Sequence, residues 1–160
     1  MNHNFDLVSE WHLAAPPEAV WPLLTEVEKW PAWWPYVRQV ELLEPGDEVG
    51  LGARRRTVWT SRLPYGFAII TRTRSIEKNR SLVVDANGDL SGQGSWELAS
   101  IPVGTRVRYS WKVQVAGWMR ALSFVLSPVF VWNHHAVMQA GAEGMARELG
   151  VELIDYRRLD

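Results

Sequence analysis

The run VFVWNHHAVM sets two adjacent histidines, His134 and His135, inside an otherwise apolar segment. Imidazole titrates near neutrality, so such a pair can hold a ligand by hydrogen bonds, move a proton, or simply complete a core. A second group of polar side chains comes from ARRRTVW, where Arg54, Arg55 and Arg56 stand in strand-like surroundings. Alternation places Arg55, Thr57 and Trp59 on one face and Arg54, Arg56 and Val58 on the other. An inward Arg55 requires an acceptor, either an acidic neighbour or a ligand carbonyl, phenolate or carboxylate. A register slip of one residue exchanges the two faces, so which arginine points inward is left open. Finally, LPYGF puts Tyr65 and Phe67 at a hairpin tip, as a lid or as a packed turn.

These residues need elements to hold them. Ser127-Pro128 reads as a helix start and Gly150 as its close, which predicts a long C-terminal helix from about Pro128 to Leu149. With Met138 at the centre of the inward face, Val131, His134, Ala142, Met145 and Leu149 lie within about 40° of it, and His135 borders that face at about 60°. Asn133, Gln139, Glu143 and Arg147 are placed towards solvent. His134 is then either bonded to a strand residue such as Tyr109 or Thr105, or free to meet a ligand. No carboxylate stands four residues from it to orient it for catalysis.

The rest of the chain reads mainly as strands. Residues 4–13 alternate, with Phe5, Leu7, Ser9 and Trp11 on one side. Two short helical pieces follow in AAPPEAVWPLLTEVEKWPAWWPYV, limited by Pro22, Pro31 and Pro35. From Val37 to Val115 the texture predicts six strands joined as consecutive hairpins, with Asn87-Gly88 at one turn. In GTRVRYSWKVQV, Thr105, Val107, Tyr109, Trp111, Val113 and Val115 share the buried face. Gly92 and Gly94 fall on one face of their strand and leave room for a sharp bend or for a bound molecule. Ten tryptophans are far above ordinary usage. Trp59, Trp96 and Trp111 are placed inward, as core or as walls for a flat ligand.

Composition narrows the function classes. A chain of 160 residues suits one domain, and a formal charge of −1 provides no field for recruiting nucleic acid or an anionic membrane. With no cysteine, disulfides and thiolate metal sites are excluded, and a cytoplasmic location is expected. Neighbouring histidines on a helix diverge by about 100°, so no metal site is predicted from them. No nucleophile triad, phosphate loop or dinucleotide fingerprint is present, and no cofactor is expected. VAGWMRALSFVLSPVFVW is long enough to span a bilayer but contains Arg120 and Pro128, so a buried helix is expected rather than stable membrane insertion.

The element order, with AAPPEAVWPLL, WPAWWPYV, GLGARRRTVW, GDLSGQGSWEL and VFVWNHHAVMQAGAEGMAREL, resembles the polyketide cyclase/dehydrase and lipid-transport family. That family belongs to the START and birch-pollen-allergen-like (Bet v 1-like, SRPBCC) helix-grip superfamily. The resemblance covers roughly Phe5 to Leu149 and implies one α+β domain over residues 1–160. It implies a curved seven-stranded antiparallel sheet around a long C-terminal helix, with an apolar ligand cavity between them. The expectation is a binder of a hydrophobic small molecule, polyketide-like, aromatic or lipid, with Trp59, Trp96, Tyr109, Trp111, His135, Met138 and Met145 at the ligand. The rival is an aromatase/cyclase or dehydratase in which His134 or Tyr65 moves a proton and Arg55 stabilises an enolate. A protein-interaction module with a filled core is the third reading.

Overall fold

In the computed structural model the described residues are 4–62, 66–115 and 120–160, with residues 120–127 described as backbone only. The strands are β1 (Asn4–Leu13), β2 (Val37–Glu44), β3 (Arg54–Trp59), β4 (Phe67–Glu77), β5 (Ser81–Gly88), β6 (Leu90–Ile101), β7 (Gly104–Val115) and β8 (Leu153–Arg158). They form one antiparallel sheet in the order β2-β3-β4-β5-β6-β7-β1-β8. The six central hairpin strands are those that alternation predicts. The eighth strand is an addition: six residues beyond the long helix pair with β1 and extend the sheet by one edge.

Between β1 and β2 lie α1 (Pro17–Thr25), a 3-10 turn (Val27–Lys29) and α2 (Trp30–Trp33). The long helix α3 runs Arg120–Leu149, so it begins ahead of the predicted start. Pro128 therefore stands inside the helix, where it removes one backbone donor without ending it. Gly150 does close the helix, with φ of 67° and its N–H on the Arg147 carbonyl at 3.1 Å. Among the described residues no helix is long and apolar enough to cross a membrane.

Register irregularities between β1 and β8, β2 and β3, and β4 and β5 bend the sheet, and α3 lies in the resulting hollow. One apolar cluster joins α1, α2 and α3 to β1, β6 and β7 around Trp11, Trp30, Trp34 and Trp96. Trp34 is 1% exposed, makes edge contacts with Trp11, Trp59 and Trp96, and donates its indole N–H to the Val137 carbonyl at 2.9 Å. A second cluster, with Phe5, Ile69, Leu90, Trp111 and Val113, packs under Phe130.

Thr105 anchors the far end of β7: its hydroxyl, fully buried, donates to the Ala15 carbonyl at 2.6 Å. Replacing Thr105 with valine keeps the shape and orphans that carbonyl, so a loss of about 1–2 kcal/mol is expected. Thermal melting should show a fall in Tm of about 3–6 °C. An unchanged Tm would mean that the bond contributes nothing to stability.

Candidate functional site

Where the two clusters meet, side chains from the sheet, α1, the 3-10 turn, α2 and α3 do not fill the space. A cavity of about 220 Å³ remains. An apolar hole of about 150 Å³ already accommodates benzene, so this one has room for a larger ring system. From α3 it is lined by Phe130, Asn133, His134, Val137 and Met138, a stripe at helical spacing. From the sheet come Arg55, Thr57 and Trp59 on β3, Ile69, Thr71 and Thr73 on β4, Trp96 on β6, and Tyr109 and Trp111 on β7.

The inward face of β3 is therefore Arg55, Thr57 and Trp59, one of the two faces that alternation groups, so Arg55 is the inward arginine that the sequence left open. Arg54 instead reaches Glu44 on the neighbouring strand at 2.7 Å, and Arg56 is exposed. Arg55 donates its Nε–H to Glu28 Oε1 at 2.7 Å, so its acceptor is an acidic neighbour from the 3-10 turn. Among the described lining residues Arg55 carries the only side chain with a permanent charge.

Asn133 departs from expectation. It is 5% exposed, lines the cavity, and its Oδ1 is buried without a partner among the described residues. His134 faces the cavity as predicted, yet it makes neither of the structural bonds foreseen for it. Its Nε2 is buried and likewise unpartnered, its ring lies nearly parallel to Tyr109 at 6.5 Å, and Thr105 is engaged elsewhere. Burial pushes His134 down to about 3, with the adjacent His135 acting in the same direction, so the ring is neutral at physiological pH. Burial likewise pushes the Tyr109 phenol upward, which keeps it protonated.

Two predicted ligand contacts lie away from the cavity. His135 turns to the opposite side of α3. Its Nδ1 is 2.7 Å from the Tyr156 hydroxyl and its Nε2 is 2.7 Å from Asp160 Oδ1. Both partners belong to β8 and the residues after it, which the sequence reading lacked. Met145 is fully buried in the core and does not line the cavity. Tyr65 lies outside the described residues; its neighbour Phe67 lines the cavity and stacks on Trp59 at 6.5 Å.

Gly94 does not open space for a ligand. It lies opposite Trp111, and an added Cβ would stand 2.9 Å from the Trp111 ring and 3.1 Å from the Tyr109 hydroxyl. The room is occupied by the protein's own rings. Among the described residues five tryptophans, Trp21, Trp30, Trp59, Trp96 and Trp111, line the cavity. Trp21 and Trp30 were missed as wall residues because their helical segments are too short for periodicity to assign a face.

A curved antiparallel sheet closed over one long helix, with an apolar cavity between them, defines a helix-grip protein. Residues 5–150 match the family described as polyketide cyclase/dehydrase and lipid transport, and the chain belongs to that family. No curated protein matches the chain in sequence. Its fold is similar to that of the protein TTHA0849 from Thermus thermophilus, with 18% identity, TM-score 0.73, and 90% of this chain and 99% of that one covered. A START superfamily protein from Mycobacterium smegmatis aligns at TM-score 0.69 and 14% identity, covering 92% of this chain and 97% of the other. The Zhui aromatase/cyclase from Streptomyces sp. R1128 aligns at TM-score 0.63 and 15% identity, covering 92% and 93%.

Proposed function

We propose that this protein binds a hydrophobic small molecule, polyketide-like, aromatic or lipid, in the cavity between the sheet and α3. One observation carries the reading: an apolar, tryptophan-walled space whose α3 side holds two buried polar atoms, Asn133 Oδ1 and His134 Nε2, with no partner among the described residues. Buried polar groups are nearly always satisfied, and each orphan costs about 1–3 kcal/mol. A filled structural core gains nothing from carrying two of them side by side. A ligand that enters and hydrogen-bonds there recovers that cost.

The aromatase/cyclase relative motivates a second reading, in which the same cavity folds and cyclises a substrate. The state of His134 weighs against its acting as the acid or base in such a reaction. A ring held near 3 is an unprotonated acid and a weak base at neutral pH. Its expected part is that of a neutral hydrogen-bonding group.

Tryptophan fluorescence during titration with 2-naphthol tests the reading, alongside native mass spectrometry of protein purified from its own host. Saturable quenching is expected, and His134→Gln should weaken it by no more than about tenfold, the worth of one neutral hydrogen bond. If probe and co-purifying ligand are both absent, the cavity is not a binding site. A rate loss of about 10²–10⁴ on a cyclisable substrate would instead make His134 an acid or base.

A further inference from the structure

The charge balance of the cavity wall deepens this reading and rests on it. Among the described lining residues Arg55 alone is permanently charged, and 16% of its side chain is exposed. A guanidinium alone in such a wall would draw a carboxylate into the cavity, since buried charge demands a counter-charge. The protein already supplies that counter-charge. Glu28, on the turn between α1 and α2, places Oε1 2.7 Å from Arg55 Nε.

The pair therefore presents no net charge to the cavity. A carboxylate entering it would leave water for a site whose arginine is already compensated, and would meet the Glu28 charge as well. The other polar side chains among the described lining residues are uncharged: Thr25, Thr57, Thr71 and Thr73, the Tyr109 phenol, the tryptophan indoles, Asn133 and His134. Of these, Asn133 offers a buried acceptor with no donor among the described residues. An uncharged ligand with a hydroxyl satisfies that atom without bringing a charge.

We propose that Glu28 determines the ligand's charge class: by compensating Arg55 it restricts the cavity to uncharged ligands that donate a hydrogen bond, and removing its charge admits carboxylates. Glu28 is then a specificity-determining residue that acts through Arg55.

The experiment is isothermal titration calorimetry with naphthalene, 2-naphthol and 2-naphthoate on the wild type, Glu28→Gln and Glu26→Gln. Wild type is expected to bind 2-naphthol about tenfold or more tightly than 2-naphthoate, and more tightly than naphthalene. Glu28→Gln should raise naphthoate affinity by about tenfold or more while leaving naphthalene unchanged. Because the Glu28 side chain is 40% exposed, the variant retains its core. Glu26 is 51% exposed and paired with Lys29, so Glu26→Gln removes the same charge beside the same turn and should change nothing.

If wild type binds naphthoate as well as naphthol, or if Glu28→Gln leaves naphthoate unchanged, the charge assignment falls while the cavity reading stands. A naphthoate gain shared equally by Glu26→Gln overturns it too, because long-range charge then explains the gain. If none of the three compounds binds at millimolar concentration, both the assignment and the cavity reading fail.

Discussion

Gly144→Ala should lower stability by about 2–3 kcal/mol, although the same change in an ordinary helix interior raises it by about 1 kcal/mol. The reason is the seam between α2 and α3. A Cβ at position 144 would stand 1.9 Å from the Trp33 carbonyl oxygen and 3.0 Å from its carbon. Both atoms are backbone, so no rotamer change relieves the contact. Helix α3 must move away by roughly 1 Å or more to reach ordinary van der Waals separation, which loosens the Trp34 indole bonded to Val137 and packed against Trp11, Trp59 and Trp96. Thermal melting should show a Tm about 5–10 °C lower. Gly141→Ala should act in the same direction, since its Cβ would lie 2.4 Å from the indole of the buried Trp34. A Tm that rises in both variants would mean that α2 and α3 are not packed this closely.

The same glycines explain why the predicted inward face of α3 is too narrow and leaves Asn133 towards solvent. Hydrophobic periodicity scores side chains, and Gly141 and Gly144 have none to score. Centring the wheel on Met138 therefore turned Asn133 outward. The buried arc includes Asn133, Val137, Gly141 and Gly144 on one flank, against α2 and the cavity, as well as Met138, Ala142 and Met145. On the other flank His135 is covered by β8, a short strand with no fully buried residue that carries Asp155, Arg157 and Arg158. Edge strands of this kind lack a clear apolar alternation, which is why LIDYRR gave no signal.

What was legible is what a simple period encodes. The alternation of β7 placed Tyr109 and Trp111 inward, and that of β3 grouped Arg55, Thr57 and Trp59 on one face, which the fold turns to the cavity. The partner of Arg55 was not legible. Glu28 lies 27 residues away in a turn whose position depends on how α1 and α2 pack, and local pattern does not carry that information. The unpartnered state of Asn133 and His134 was likewise beyond reach, because it depends on what the sheet fails to place opposite them.

The cavity histidine should make the protein acid-sensitive in a way that one substitution removes. In the unfolded chain His134 takes up its proton near 6.5, while in the folded chain burial holds it down to about 3. Between those values the unfolded state binds a proton that the folded state refuses, so stability falls as pH falls. The contribution is complete above about pH 6.5 and declines towards pH 3. Between pH 6.5 and pH 4 this single group accounts for a loss of about 3 kcal/mol. Its surroundings set the size of the effect: His135 and Arg158 oppose the protonated ring, and Asp160 favours it only weakly against burial. Urea unfolding of wild type and His134→Gln at about pH 7, 5.5 and 4 isolates the effect, since glutamine cannot titrate. His134→Gln is expected to start no more stable than wild type at neutral pH and to lose about 3 kcal/mol less by the acid end of the series. Parallel losses in the two proteins would mean that the histidine protonates inside the folded cavity, so the neutral ring assigned to it at the ligand would not hold in acid.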